Sequence, residues 1–171
     1  MQEKNQQFVK KDEFPSLKRV GCAAVPELMS SKGLVTYPQA LEVMESRVQD
    51  ILDGSKGELL WFLEHPPLYT LGRTGSSQEI LRTDVPVFET GRGGKATYHG
   101  PGQRVVYALL DLRVRGQDLR AYVWSLEEWL ICALARLGVC AERRAGRVGL
   151  WVVHEGCEKR VGVKGLGQEK R

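Results

Sequence analysis

Residues 90–103 read Thr90-Gly91-Arg92-Gly93-Gly94-Lys95-Ala96-Thr97-Tyr98-His99-Gly100-Pro101-Gly102-Gln103, and the fold is decided by how this stretch is read. Five of its fourteen residues are glycine. Glycine lets the backbone take positive φ and come close to a ligand, and the amide groups so exposed can line a carbonyl or an oxyanion. Arg92 and Lys95 bring positive charge, and His99 brings a group that titrates near neutral pH. The stretch contains no G-x-x-x-x-G-K-[ST] and no G-x-G-x-x-G opening a helix, so it is not a nucleotide loop of the usual kinds. On composition alone, a glycine-rich hairpin or omega loop stands level with a binding loop.

Apolar runs flank this loop. Val85 to Glu89 before it and Arg104 to Leu112 after it read as strands, the second with little alternation and so with both faces covered. Upstream, Glu58 to Glu64 is a short aromatic-rich run that predicts a central strand, stopped by His65-Pro66-Pro67 because two prolines cannot continue a ladder. Leu68 to Leu71 is a further extended piece. Thr36 and Pro38 open a helix on which Leu41, Met44, Val48, Ile51 and Leu52 recur at helical spacing until Gly54. A second helix is predicted from Asp118 to about Leu137, with an apolar stripe of Leu119, Tyr122, Val123, Leu126, Leu130, Ala133, Leu134 and Leu137. Val148 to Val153 closes the series as a strand. Most connections between strands are too short for parallel crossovers, which predicts a mixed or antiparallel sheet with helices on one side.

A length of 171 residues suffices for one domain with a real core. Hydrophobic residues at 42% and charged residues at 27% exclude a disordered chain. The longest apolar run, Leu59 to Leu63, is strand-sized, so no membrane span is expected. The first residues lack an apolar signal region and carry acids, which argues against a secretory or transit peptide and for a cytoplasmic protein. Residues 1–15 are expected to be a disordered tail ahead of a single domain over 16–171. The four cysteines, Cys22, Cys132, Cys140 and Cys157, form no C-x-x-C pair, so reduced thiols are expected, with Cys132 on the buried face of the second helix. Between Gly91 and Arg120 six basic residues stand against two acids, a bias that suits an acidic partner or an ordinary solvated surface.

The run RGGKATYHGPGQ followed by a strand resembles the signature RGG-x-x-T-x-HGPGQ of the lipoyl(octanoyl) transferases. His65-Pro66-Pro67-Leu68-Tyr69-Thr70-Leu71-Gly72-Arg73 is similar to that family's HPP-x-YT-x-G segment, and Val148-Gly149-Leu150-Trp151-Val152 to its VG-x-WV strand. The three motifs occur in family order over residues 34–153. The resemblance implies an α/β fold of the α+β type, a mixed and largely antiparallel sheet with packed helices, like the catalytic domain of biotin and lipoate ligases. It implies transfer of an octanoyl group from octanoyl-acyl carrier protein to a lysine of a lipoyl domain, the first step of protein lipoylation. The acceptors implied are the lipoyl domains of 2-oxoacid dehydrogenases and the glycine cleavage H protein. Neither nucleic acid nor membrane is an implied partner, and no cofactor is implied, since the donor thioester is already activated. The substrate-binding positions implied are Arg92, Gly93, Gly94, Lys95, Ala96, Thr97, Tyr98 and His99, with Val163, Lys164 and Gly165 further on. The family mechanism passes through a cysteine thiolate whose pKa a nearby lysine lowers.

Past the VG-x-WV strand the sequence departs from the family. Lys159 is the matching lysine in one register. Counting back from Gly165 instead puts Arg160 there, which keeps the charge but cannot exchange a proton. No threonine–histidine–glycine segment and no proline–cysteine–glycine turn follows, and Cys157 precedes the lysine region. The chain is therefore expected to be truncated before the family's nucleophile segment, or altered there by a frameshift-like change, and to transfer octanoate poorly or not at all. An inactive acyl- or carrier-binding remnant is the alternative. A basic nucleic-acid module and an ATP-using ligase relative are more distant readings.

Overall fold

The computed structural model describes residues 25–82, 84–144, 147–154 and 157–161, with the backbone alone at 147–148, 154 and 157–161. These residues group into two compact units that divide between Val114 and Arg115.

The first unit opens with strand β1, Glu27–Leu34, and helix α1, Tyr37–Asp53. The helix starts where the sequence predicts. The Gln39 side-chain oxygen accepts from the Thr36 amide at 3.1 Å and from the Thr36 hydroxyl at 2.8 Å, Pro38 occupies the first turn, and the Gly54 amide donates to Asp50 O at the other end. Strand β2, Leu59–Glu64, follows and lies parallel to β1, with Met29 opposite Trp61; α1 is the crossover that a parallel pair requires. On the far side of β2 runs antiparallel β6, Val105–Leu109, so β2 is the centre of its sheet. Leu59, Trp61 and Leu63 alternate onto one face and pack with Ala40 and Met44 of α1. Each fully buried leucine stabilises the unit by about 2 kcal/mol. Leu41, expected on the buried face of α1, is exposed; Tyr37, Ala40 and Met44 form that face.

A second sheet in the same unit holds strands β4 (Val87–Glu89), β3 (Leu68–Leu71) and β5 (Thr97–His99), with β3 in the middle. Strand β3 is parallel to β4 and antiparallel to β5, with Thr70 opposite both Phe88 and Thr97. The glycine loop is thus the connection from one edge strand to the other around β3. Part of it, β5, is itself a strand rather than loop.

The other unit contains α2, Leu119–Arg136, and the antiparallel strands β7 (Ala141–Arg144), β8 (Arg147–His154) and β9 (Cys157–Val161), in the order β7-β8-β9. Asp118 caps α2, its carboxylate accepting from the Arg120 and Ala121 amides at 2.8 and 3.0 Å. Midway along α2, the buried Glu127 accepts from Arg143 Nε of β7 at 3.0 Å and from the Gly149 amide of β8 at 3.1 Å. Arg143 lies over the Trp124 ring, 4.5 Å from its centre. Two positions on α2, Leu119 and Cys132, and its C-cap Leu137 depart from expectation: all are exposed.

Among the described residues, parallel pairs occur at β1–β2 and β3–β4 and antiparallel pairs at the other four junctions, so the sheets are mixed and largely antiparallel, as expected. Among the described residues no helix is long and apolar enough to cross a membrane.

Candidate functional site

The two prolines after His65 end β2 and turn the chain into β3, which places Thr70 at the centre of the second sheet. Thr70 is 4% exposed, and beside it lies Arg92 of the glycine loop, 6% exposed. Arg92 Nη2 donates to Thr70 O (2.6 Å), Thr70 Oγ1 (2.8 Å) and Thr97 Oγ1 (3.1 Å), and Nη1 donates to Gly93 O (3.1 Å) and Lys95 O (3.0 Å). A buried guanidinium must have its donors satisfied, and here the loop's own carbonyls and two strand threonines do it. Burial lowers the Arg92 pKa from its ordinary value, with Tyr37 and Tyr107 opposing that shift, and arginine remains charged at any physiological pH. Arg92 therefore staples the loop to β3 and β5.

The loop backbone needs glycine at two places for different reasons. Gly94 has φ of 85°, a left-handed conformation that other residues adopt only at a cost. Gly72, at the end of β3, lies so close beneath the loop that a Cβ there would overlap the Gly94 carbonyl oxygen and come within 2.9 Å of the Gly93 carbonyl oxygen. Two further contacts close the same loop. Arg73 Nε donates to Gly91 O at 2.8 Å, and Thr90 Oγ1 donates to Leu71 O at 2.9 Å.

Glu79, in a short 3-10 turn over Ser77–Glu79, reaches the loop from outside. One carboxylate oxygen accepts from the Ala96 amide at 3.1 Å, and the other pairs with Lys95 Nζ at 3.0 Å. The Ala96 amide and Lys95 together hold the Glu79 carboxyl below its usual pKa.

His99 closes the loop's end. Its Nε2 is 3.1 Å from Thr70 Oγ1, and its ring meets that of His65 edge-on at 5.7 Å between centres. His65 is 1% exposed and is held at both nitrogens: Nδ1 lies 2.6 Å from Val35 O and Nε2 lies 2.9 Å from the Tyr107 hydroxyl. A carbonyl can only accept, so Nδ1 carries the proton and Nε2 accepts from Tyr107. Burial pushes the His65 pKa down, partly offset by the Val35 carbonyl, and burial pushes the Tyr107 phenol up. Tyr37 stacks obliquely against Phe88 at 5.1 Å and approaches His65 at 6.1 Å, which completes an aromatic shell on the inner side of the site.

The structure thus brings Arg92 through His99 together with residues that were not among the expected site positions: His65, Thr70, Gly72, Glu79 and Tyr107. His65, Thr70 and Gly72 lie in the HPP-x-YT-x-G segment, so a signal for them existed. Glu79 and Tyr107 had none, one being an acid in a polar turn and the other an aromatic in an apolar strand. Gly93, Gly94 and Lys95 are exposed, whereas Ala96, Thr97, Tyr98 and His99 are half-buried. The positive bias after Gly91 is largely paired: Lys95 with Glu79, Arg104 with Glu64 and Arg113 with Asp111. In β9, Lys159 pairs in register with Val152 and Arg160 with Trp151. Val163, Lys164 and Gly165 lie outside the described residues.

In fold, the chain is similar to one in the solved structure of an archaeal bi-partite lipoate protein ligase and its E2 lipoyl domain from Thermoplasma acidophilum. The TM-score is 0.56 at 19% identity, covering 84% of this chain and 57% of the other. A family model described as the lipoyl protein ligase A/B catalytic domain matches residues 36–168. The chain belongs to that family. Similar relatives include proteins named octanoyltransferase from Brucella suis biovar 1 (53% identical, 74% of this chain and 48% of the relative) and Caulobacter vibrioides (55% identical, 71% and 54%). The chain spans about half the length of these curated relatives.

Proposed function

We propose that this chain handles the acyl group in octanoyl transfer from octanoyl-acyl carrier protein to a lysine of a lipoyl domain, and that its two units work as one acyltransferase domain. The observation that carries the proposal is the glycine loop stapled by the buried Arg92, in a chain whose family match runs across both units. A loop closed over its own arginine is a fixed surface. It pays little ordering entropy when an acyl thioester settles on it. In this reading Gly93 to His99 contact the acyl group or its carbonyl, Arg92 holds them in place, and Val163, Lys164 and Gly165 are proposed as further substrate-binding residues. The acceptors are the lipoyl domains of 2-oxoacid dehydrogenases and the glycine cleavage H protein.

The chemistry proposed is thioester to amide. A thiolate attacks the donor carbonyl, the bond to the carrier's sulfur breaks, and the acceptor lysine amine then displaces the thiolate and releases a proton. Lys159 is the residue proposed to keep the thiol ionised. The cysteines of this sequence are Cys22, Cys132, Cys140 and Cys157, and none sits in a proline–cysteine–glycine turn. In the second reading the chain binds the octanoyl-acyl carrier without turning it over.

The test is to mix the protein with octanoyl-acyl carrier protein and a lipoyl domain, following the lipoyl domain by mass spectrometry and carrier binding by calorimetry. Transfer supports the first reading. Binding without transfer supports the second. Absence of both overturns the proposal.

A further inference from the structure

Thr70 and Thr97 are directly opposite on β3 and β5, and His99 lies two residues beyond Thr97. Alternation along a strand puts all three side chains on one face of this sheet, with His99 on the diagonal from Thr70. Arg92 occupies the same face and donates to both threonines. One hydroxyl, Thr70 Oγ1, consequently sits between a buried cation at 2.8 Å and an imidazole nitrogen at 3.1 Å.

The hydroxyl has one hydrogen and two acceptor lone pairs to distribute between these neighbours. A guanidinium has no acceptor, so toward Arg92 the Thr70 oxygen accepts. A hydroxyl that accepts from a cation is a stronger donor, which favours giving its own hydrogen to His99 Nε2 over accepting from it. With Nε2 accepting, the neutral His99 ring carries its proton on Nδ1. We infer that Thr70 is a positioning residue that sets the tautomer and aim of the His99 imidazole, relaying to it the fixed position of Arg92. This rests on the reading above only in taking His99 as a substrate contact. The relay itself is a property of β3, β5 and the loop.

Two consequences separate this from a merely structural threonine. Valine has the shape of threonine without its hydroxyl, so Thr70→Val should preserve packing while removing the donor to Nε2. Serine keeps the hydroxyl, so Thr70→Ser should behave as the parent does. The readout is the side-chain nitrogen–proton NMR spectrum of the histidine rings near neutral pH. The sequence has three histidines, His65, His99 and His154, and His99→Gln identifies the His99 signals by their loss.

The expected result is a parent His99 ring protonated on Nδ1, an unchanged ring in Thr70→Ser, and a shift toward the Nε2-protonated form in Thr70→Val while His65 keeps its signals. In a carrier-to-lipoyl-domain assay, Thr70→Val should lower kcat by about tenfold with KM little changed, and serine should restore it. A parent His99 protonated on Nε2 overturns the inference even if Thr70→Val fails to fold. So does a folded Thr70→Val with the parent's tautomer. Should the parent show no octanoyl binding or transfer, the functional reading fails, and the histidine spectra still decide the role of Thr70.

Discussion

The Tyr107 hydroxyl donates to His65 Nε2 across 2.9 Å, joining the residue after β2 to the middle of β6 through one buried and one half-buried side chain. The opposite nitrogen of His65 donates to the Val35 carbonyl at 2.6 Å, so one ring ties together three segments distant in sequence. Replacing His65 by leucine leaves both partners without their bond in a buried setting. A loss of about 2–4 kcal/mol of stability is expected, measured by urea unfolding, with Tyr107→Phe costing less because it removes the hydroxyl together with its need for a partner. Equal losses in the two variants would contradict this pairing.

The same histidine predicts a pH dependence. Its folded pKa lies below the ordinary 6.5, with burial as the main cause. In the unfolded chain it takes up a proton near 6.5, whereas the folded chain resists. Below that value the unfolded state therefore binds more protons, and stability falls as pH falls. The contribution is fully present above the unfolded pKa and is lost as pH drops toward the folded one. The slope can reach about 1.4 kcal/mol per pH unit. Denaturant midpoints between about pH 7 and pH 5 should decline more steeply for the parent than for His65→Leu.

Gly72→Ala tests the close approach beneath the loop. The added methyl meets backbone oxygens of Gly93 and Gly94, which cannot swing aside as a flexible side-chain tip would. The loop must lift, and the bonds from Arg92 Nη1 to Gly93 O and Lys95 O lengthen with it. A loss of about 1–3 kcal/mol is expected, with faster amide exchange confined to residues near 92–96. Unchanged exchange there would refute the proposed closeness of strand and loop.

Glu127 makes the corresponding prediction for the other unit. Its carboxylate serves both Arg143 of β7 and the Gly149 amide of β8. Glu127→Ala should destabilise by about 2–3 kcal/mol, since the buried Gly149 amide loses its acceptor and Arg143 loses one of its acceptors, keeping Glu128 and Trp124 O. Glu127→Gln keeps one acceptor oxygen and should cost less. Thermal unfolding of both variants distinguishes a specific bond from a loss of side-chain volume.

Much of the fold was legible because burial writes itself into periodicity. Strand β2 alternates Leu59, Trp61 and Leu63 into the core, and α1 is bracketed by Thr36, Pro38 and Gly54. The strands that escaped notice had no such mark. Strand β1 runs through Ser30, Ser31 and Lys32 at a sheet edge, β7 is Ala-Glu-Arg-Arg, and β9 is Cys-Glu-Lys-Arg-Val. Their backbones are held by a neighbour's ladder rather than by their own apolar face. Missing β1 also hid the parallel pairing with β2. Strand β5 was concealed inside the glycine run, because Thr97 to His99 read as loop until Leu68 to Thr70 is laid beside them.

The site was legible in its loop and not in its supports. Arg92 stood out as a charge among glycines, but only the fold reveals that its guanidinium points inward to Thr70 and Thr97 rather than outward. Glu79 illustrates the same limit: no local pattern in Ser76-Ser77-Gln78-Glu79 announces a bond to an amide seventeen residues away.

The inward-facing Arg92 also constrains how this part of the molecule assembles. A cation cannot wait in a dry interior for partners that arrive later, so the pairing of β3 with β5 and the closure of the turn between Gly91 and Ala96 have to occur as one event. The region should accordingly open and close as a single cooperative block, with no half-latched form accumulating between the two.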